Sequence, residues 1–152
     1  MEIYKIRELQ LGIIITIVTF VLLYFSRADV NMTFTHGLIV TVTSILLGIL
    51  MLNLLIILKI PHIGQLRILY KHDDFFFNVY KQLFFYIYYT LFTIMVGLLA
   101  EVLGNDRAQN IFLVSTFVTS IYYVIISIWC TYRFVYKASI EENLQFEGID
   151  EI

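Results

Sequence analysis

The stretch that decides the fold is residues 59–92, KIPHIGQLRILYKHDDFFFNVYKQLFFYIYYTLF. It contains the only proline of the chain, four of its ten Lys and Arg residues, and eleven of its 25 Phe, Tyr and Trp residues. Long apolar blocks flank it on both sides. Because aromatic and basic residues collect where helices leave the hydrocarbon of a membrane, the stretch predicts a junction at which the chain leaves a membrane, follows its surface and enters it again.

The composition agrees with a membrane protein. Apolar residues make up 60% of the 152 residues and charged residues only 14%, with a mean hydropathy of +0.84, whereas soluble domains carry roughly a quarter charged residues. A net charge of -2 provides no basic surface for nucleic acid. The single cysteine, Cys130, excludes a disulfide within one chain.

A helix needs about 20 apolar residues to cross a hydrocarbon core of about 30 Å. By this measure the last three of four apolar blocks are long enough and the first is marginal. The sequence predicts an all-α polytopic membrane protein with four transmembrane helices, at about residues 9–25, 38–58, 83–103 and 111–132. The first block is short and follows Lys5 and Arg7, as a signal peptide would. Ser26-Arg27-Ala28 is a poor cleavage site, however, and three further blocks follow, so the sequence favours a retained helix.

The distribution of bases predicts the topology. Cytoplasmic loops carry the excess of Lys and Arg, and here eight bases fall on one side, against Arg27 and Arg107 on the other. Both termini are therefore expected in the cytoplasm, with residues 1–140 forming the transmembrane domain, residues 59–82 a helical cytoplasmic junction and residues 141–152 an acidic cytoplasmic tail. The eight bases are Lys5, Arg7, Lys59, Arg67, Lys71, Lys81, Arg133 and Lys137.

Local signals refine the helix ends. Residues 26–36 are expected to form a polar loop, with the second span opening near Gly37. Pro61 ends the second helix, because proline lacks an amide donor and restricts the residue before it. Asp73 or Asp74 is a suitable cap for the third helix.

Small and hydroxyl-bearing residues recur at helical spacing in three of the blocks. Such residues let membrane helices approach closely, and they can also line a water-filled path in an oligomer, so the pattern predicts either a packing stripe or a pore stripe. The residues are Gly37, Thr41, Ser44 and Gly48 in the second block, Thr90, Thr93 and Gly97 in the third, and Thr116, Ser120 and Ser127 in the fourth, where Tyr123 and Thr131 share their face.

An amide and a carboxylate also lie within the apolar blocks. The amide of Asn53 is expected to find a hydrogen-bond partner on another helix. Glu101 is either a proton or cation site, since an ionisable group inside a membrane is costly, or a residue near the end of its span that reaches the headgroups or pairs with Arg107.

No catalytic motif, metal site or cofactor site is predicted. His62 and His72 lie near the Asp pair, but their spacing matches no metal motif, and the chain is not expected to be an enzyme. The junction and the tail are the candidate surfaces for a soluble cytoplasmic partner, although the tail can equally be a solvated end of the chain. The candidate partner-binding residues are Arg67, Lys71, Asp73, Asp74, Glu141, Glu142 and Phe146.

The layout of the whole chain resembles the small four-helix membrane proteins of bacterial anti-phage loci. Two spans precede a central stretch with scattered bases and aromatics, KIPHIGQLRILYKHDDFFFNVYK, and two spans and a short charged tail follow it. Among these proteins the layout is similar to that of the membrane subunit of the Kiwa system and of the lambda Rex membrane protein. The resemblance rests on layout and not on a motif, so no functional residue is carried over.

The resemblance implies an oligomeric protein of the bacterial inner membrane that senses phage attack and signals to a soluble cytoplasmic partner. The alternative is an oligomeric ion channel or membrane-depolarising pore, similar to the Rex protein or to a holin. A homo-oligomer in contact with the lipid bilayer is expected in either case, without direct binding of nucleic acid.

Overall fold

The computed structural model describes residues 3–26, 33–59, 73–103 and 106–147. These residues are helical nearly throughout, which confirms the all-α prediction. The helices are α1 (Ile3–Phe25), α2 (Thr33–Lys59), α3 (Asp73–Leu103) and α4 (Arg107–Glu147).

Three of the four helices contain a stretch long and apolar enough to cross a membrane: His36–Lys59 in α2, Lys81–Leu103 in α3 and Arg107–Arg133 in α4. The apolar stretch of α1, Gln10–Phe25, is shorter. The prediction of these three membrane-compatible helices is therefore confirmed. That α1 also crosses the membrane stays a prediction.

Side-chain contacts fix the relative directions of α2 and α4. His36 near the start of α2 contacts Asn110 near the start of α4, and Asn53 near the end of α2 contacts Ser127. Both pairs are separated by 74 residues in the chain. The two helices therefore run in the same direction and in register over this length.

The other two helices run the opposite way to α4. Thr93 of α3 contacts Ser120, and Thr16 of α1 contacts Thr119. Arg107, at the first position of α4, donates to the backbone oxygen of Tyr24 near the end of α1. Consecutive helices consequently alternate in direction, as expected for a chain that crosses a membrane repeatedly.

The helix α4 is the centre of the bundle. It packs against α1, α2 and α3, while α2 also packs against α3. An apolar cluster that includes Leu50 and Ile57 of α2, Leu83 and Tyr86 of α3, and Tyr123 of α4 joins the last three helices. Buried polar residues along α4 can therefore reach partners on each of the other three helices.

Large apolar side chains cover the outside of all four helices. Examples are Leu22 on α1, Ile45 on α2, Met95 on α3 and Ile125 on α4, each exposed by 59–64%. Soluble monomers rarely expose extended apolar surface of this kind. The outer surface suits contact with lipid.

The predicted spans of α2 and α4 agree with the membrane-compatible stretches His36–Lys59 and Arg107–Arg133, and α4 continues as a helix beyond its span to Glu147. One predicted boundary requires correction. The helix α2 begins at Thr33, so His36 is a helical residue and not part of a polar loop. Polarity alone misled the prediction, because a buried polar side chain with a partner can lie inside a helix. Pro61 and most of the predicted junction, residues 60–72, lie outside the described residues.

Candidate functional site

Buried polar side chains are spaced along the length of α4 inside the bundle. Each is at most 5% exposed, and they extend from Asn110 to Thr131, a distance of about 32 Å at 1.5 Å per residue that is comparable with the hydrocarbon thickness of about 30 Å. We call this set the polar seam. It consists of Asn110, Ser115, Thr116, Thr119, Ser120, Tyr123, Ser127 and Thr131.

One end of the polar seam is a hydrogen bond between α2 and α4. The Nε2 atom of His36 lies 2.6 Å from Oδ1 of Asn110, and both residues are 4% exposed. Since an amide oxygen only accepts, the imidazole donates from Nε2. Gly37, the next residue along α2, is exposed, and a Cβ at this position would lie 3.7 Å from Oε1 of Glu101, which is also exposed.

The middle of the polar seam joins α4 to α1 and α3 through Thr16. Its Oγ1 lies 2.7 Å from Oγ1 of Thr119, 3.0 Å from the hydroxyl of Tyr89 and 3.0 Å from the backbone oxygen of Gly12. Thr119 is also 3.1 Å from the backbone oxygen of Ser115. The hydroxyls of Thr16, Thr119 and Tyr89 thus supply three protons for these four contacts. One contact has no proton at any instant, and the protons can be arranged in more than one way.

A second shared contact joins α3 and α4 nearby. The hydroxyls of Thr93 and Ser120 lie 3.1 Å apart, and each also donates to a backbone oxygen of its own helix, Thr93 to Tyr89 and Ser120 to Thr116. Two protons here serve three contacts. The same excess of acceptors therefore occurs at two neighbouring points of the bundle.

Towards the other end, Nδ2 of Asn53 donates to Oγ of Ser127 across 3.0 Å. Asn53 is 8% exposed and Ser127 is fully buried. The amide thus meets a partner on another helix, as its position inside the apolar block required. In membrane proteins such contacts contribute about 0.6 kcal/mol each, so the polar seam guides helix register more than it adds stability.

The hydroxyl of Tyr123 differs from its neighbours in the polar seam. It is fully buried and has no hydrogen-bond partner among the described residues. The ring stacks on Tyr86 with centroids 4.6 Å apart and meets Tyr89 edge-on at 5.1 Å. The hydroxyl points at Gly12 of α1, where any side chain would overlap it. Because Gly12 has no side chain, the hydroxyl of Tyr123 can pack closely against α1 at this position.

The four small residues predicted to form a stripe on α2 all point out of the bundle. Gly37, Thr41, Ser44 and Gly48 are exposed, and a Cβ at position 48 would lie within 4 Å of no other described residue outside its own helix backbone. Thr41 and Ser44 satisfy their hydroxyls by donating to the backbone oxygens four residues earlier, Gly37 and Val40. We call this outward face, defined by those four residues, the α2 stripe.

The predicted stripes of α3 and α4 point inward instead. Thr90, Thr93, Thr116, Ser120 and Ser127 are at most 1% exposed. Gly97 is buried as well, and a side chain there would overlap Cγ2 of Val40. Tyr123 and Thr131, which share the face of the α4 residues, are also buried. These residues thus line contacts between helices of one chain.

The remaining candidates lie at the ends of the helices or beyond the described part. Glu101 is exposed near the end of α3, and Arg107 donates to Tyr24 across 3.3 Å. Arg67 and Lys71 lie outside the described residues. So do the side chains of Asp73, Asp74, Glu141, Glu142 and Phe146, although their backbones belong to α3 and α4. Within the described ranges, no group of three or more His, Cys, Asp or Glu residues is arranged to hold a metal ion.

Sequence reasoning missed much of the polar seam and its partners. The residues it did not single out are Gly12, Thr16, His36, Tyr89, Asn110, Ser115 and Thr119. A signal existed for Asn110, since it follows the helix start at Arg107 by three residues on the way into an apolar block. No periodicity within one helix could have paired it with His36, 74 residues earlier.

Comparison of the chain with protein-family models, with curated proteins and with solved structures gave no match.

Proposed function

We propose that this protein is the membrane subunit of an oligomeric sensor of phage attack in the bacterial inner membrane, which signals to a soluble cytoplasmic partner. In this proposal all four helices cross the membrane, with both termini and the junction between α2 and α3 in the cytoplasm. The phage trigger comes from the resemblance in layout. The geometry supports the oligomer and the manner of signalling.

The observation that carries the oligomer is the outward direction of the α2 stripe. Small residues on a membrane helix permit close backbone approach by a second helix. Within the described part of the chain they do not serve such an approach, since a Cβ at Gly48 would meet no atom within 4 Å and Thr41 is exposed. A second copy that places its own α2 against this face would bury the stripe, and a symmetric contact of this kind closes an oligomer.

The manner of signalling follows from the polar seam. A sensor needs two packings that differ by only a few kcal/mol. The contacts around Thr16 and between Thr93 and Ser120 offer more acceptors than protons, so a small shift of one helix exchanges one weak hydrogen bond for another. Disturbance of the bilayer can then change helix packing without leaving a buried group unsatisfied.

The output would leave the membrane through α4. This helix has 41 residues and is therefore about 62 Å long, twice the hydrocarbon thickness of about 30 Å. The part beyond Arg133 carries the acidic residues Glu141 and Glu142, which suit a basic surface on the partner. A change in the membrane half of α4 reaches this part through a continuous helix.

The oligomer is tested by Gly48→Leu, with Val18→Leu as the matched control on the exposed side of α1, where Val18 is 48% exposed. In native membranes solubilised with mild detergent, mass photometry is expected to find a defined oligomer for the unchanged protein and for Val18→Leu, and a smaller particle for Gly48→Leu. An unchanged particle for Gly48→Leu contradicts the assigned contact.

The signalling is tested by deleting residues 141–152. In a host that carries the native locus, the deletion is expected to abolish both co-purification of the soluble partner and the reduction in plaque number. Retention of both after the deletion contradicts the role of the tail.

The second candidate is a depolarising pore, and the length of the polar seam favours it. Its buried hydroxyls span about the thickness of the hydrocarbon, so hydration of the bundle would open a path inside each chain. Changing Thr116, Ser120 and Ser127 to Leu is expected to remove ion flux from protein reconstituted in liposomes. Absence of flux from the unchanged protein excludes this candidate.

A further inference from the structure

We propose that the end of the bundle at which α2 ends binds anionic phospholipids, whose headgroup phosphates are held by three bases on three different helices. The bases are Lys59 of α2, Lys81 of α3 and Arg133 of α4, and we call them the basic belt. The proposal goes beyond the proposed function. It requires only that the three apolar stretches of α2, α3 and α4 cross a membrane, and it stands whether or not the protein senses phage.

The three bases lie at one level of the bundle. The contacts between α2 and α4 twice join residues separated by 74 positions, and the same separation relates Lys59 to Arg133. On α3, which runs the opposite way, Lys81 precedes Thr93 by 12 residues. Arg133 follows Ser120, the contact of Thr93, by 13 residues. Since a helix rises about 1.5 Å per residue, the levels of Lys81 and Arg133 agree to within about one residue.

This level is the edge of the apolar surface. Lys59 and Arg133 are the last residues of the membrane-compatible stretches of α2 and α4, and Lys81 is the first residue of the stretch of α3. All three side chains are exposed. Because lipid headgroups lie directly outside the hydrocarbon core, bases at the ends of three adjacent spans meet the headgroup phosphates. The basic belt is thus placed at the depth of a lipid headgroup.

Each base of the belt has an exposed apolar side chain one helical turn closer to the middle of the span. Residues four apart lie on the same face of a helix, so each pair presents a positive charge above an apolar surface. A phospholipid has the matching order, with a phosphate above its acyl chains. The apolar members are Leu55 beside Lys59, Phe85 beside Lys81 and Trp129 beside Arg133, exposed by 56%, 37% and 60%.

The charge at the opposite end of the bundle explains why the lipid should be anionic. Glu101 and Asp106 are exposed there, and Arg107 donates to the backbone oxygen of Tyr24. Among the charged side chains that the structure describes, one end therefore has three bases and the other has two acids and one base. A zwitterionic headgroup brings its own ammonium group, whereas an anionic headgroup leaves its negative charge for the basic belt, and each base near such lipids contributes to binding.

Trp129 is the only tryptophan of the chain and lies four residues from Arg133, so its fluorescence reports which lipid occupies this position. The full chain is reconstituted in vesicles of equal parts phosphatidylglycerol and phosphatidylcholine, with one or the other lipid carrying brominated acyl chains that quench tryptophan. We expect phosphatidylglycerol to occupy the position about fivefold more than phosphatidylcholine, as one base near anionic lipid predicts. Sodium chloride should reduce this preference by screening.

Substitutions of Arg133 separate its charge from its shape. Arg133→Gln should remove the preference for phosphatidylglycerol, whereas Arg133→Lys should retain it. Arg107→Gln, which removes a base from the opposite end, should leave the quenching ratio at Trp129 unchanged.

Moving the reporter tests the other two bases and the opposite end. In a Trp129→Phe background, Leu55→Trp reports beside Lys59 and Phe85→Trp beside Lys81, and Lys59→Gln or Lys81→Gln should remove the preference at the corresponding reporter. Leu98→Trp, at a position that is 46% exposed and three residues before Glu101, serves as the control. It should show no preference for phosphatidylglycerol.

Equal quenching by the two brominated lipids at Trp129 overturns the proposal and favours an acidic soluble partner for the basic belt. A preference that persists in Arg133→Gln, or one of equal size at Leu98→Trp, also overturns it. Sodium phosphate is compared with sodium chloride at equal ionic strength, and a greater loss of preference in phosphate assigns the bases to free phosphate instead of lipid. If Arg133→Gln does not fold, the comparison of Trp129 with Leu98→Trp decides the question with the basic belt intact.

Discussion

The hydroxyl of Tyr123 occupies the space on α1 that a side chain at Gly12 would fill. Tyr123 is fully buried between α1, α2 and α3, and its ring is held by stacking on Tyr86. The absence of a side chain at one position of α1 therefore decides how closely α1 approaches α4. Because α1 packs mainly on α4, this contact governs the attachment of α1 to the bundle.

Gly12→Ala is expected to destabilise the bundle. The new methyl group overlaps the Tyr123 hydroxyl and lies 2.6 Å from a ring carbon, and overpacking of this kind typically costs about 1–3 kcal/mol. Gly48→Ala is the matched control, since it adds the same methyl group to a helix at a position where no neighbouring residue of the described ranges lies within 4 Å. Unfolding by SDS in mixed micelles, followed by far-UV circular dichroism in monomeric protein, measures both changes.

The control should be neutral or slightly stabilising, because alanine is favoured over glycine in a helix by roughly 0.5–1 kcal/mol. Equal effects of the two substitutions would show that the contact between Gly12 and Tyr123 does not limit packing. Tyr123→Phe should relieve the Gly12→Ala defect only in part, since ring carbons also approach position 12.

Two Tyr→Phe substitutions on neighbouring rings should change the free energy of unfolding in opposite directions. Tyr123→Phe removes a buried hydroxyl without a partner in the described part of the chain and should stabilise the protein, because an unsatisfied buried polar group costs about 1–3 kcal/mol. Tyr89→Phe removes the hydroxyl that contacts Thr16 and should destabilise it by about 0.6 kcal/mol. The same SDS titration measures both, and a loss of stability in Tyr123→Phe argues against this assignment.

Asn53 and Ser127 should be energetically coupled. A double-mutant cycle with Asn53→Leu and Ser127→Ala is expected to give a coupling free energy of about 0.6 kcal/mol, and at most about 1.7 kcal/mol, as found for hydrogen bonds between membrane helices. Asn53→Leu paired with Thr131→Ala provides the control, since the hydroxyl of Thr131 has no hydrogen-bond partner in the described ranges. Coupling of equal size in both cycles would contradict the specific bond between Asn53 and Ser127.

Gly97→Ala should loosen the contact between α2 and α3. A Cβ at position 97 would lie 2.5 Å from Cγ2 of Val40, and valine has little freedom to turn away because it is branched at Cβ. We expect a loss of about 1–3 kcal/mol in the free energy of unfolding. Val40→Ala, combined with Gly97→Ala, should recover most of it, and additive losses in the double variant would rule out this contact as the cause.

Much of the helical architecture could be predicted from the sequence because it depends on local composition. Apolar length locates α2, α3 and α4, and a spacing of three or four residues correctly places Thr116, Ser120 and Ser127 on one side of α4. Asn53 is likewise buried while Gly48, about 140° round the helix at roughly 100° per residue, is exposed.

The direction in which a stripe faces could not be predicted from spacing. The α2 stripe and the hydroxyls of α3 follow the same periodicity, yet Gly48 faces outward and Thr93 faces inward. Periodicity fixes which residues of a helix lie together but not which neighbour they face. The pairing of His36 with Asn110 was beyond reach for the same reason, since it depends on the register of two helices far apart in the chain.

The packing of α1 on α4 has a consequence for biogenesis. The ribosome synthesises α1 before α2, α3 and α4, so α1 emerges well before its main partner α4, with Thr119 and Tyr123, reaches the bilayer. The apolar stretch of α1 is the shortest of those in the four described helices, and until α4 arrives Thr16 lacks its contact with Thr119. Translation that stops before α4 would leave α1 without its main partner and expose it to membrane quality-control proteases, so that chains without α4 would not accumulate.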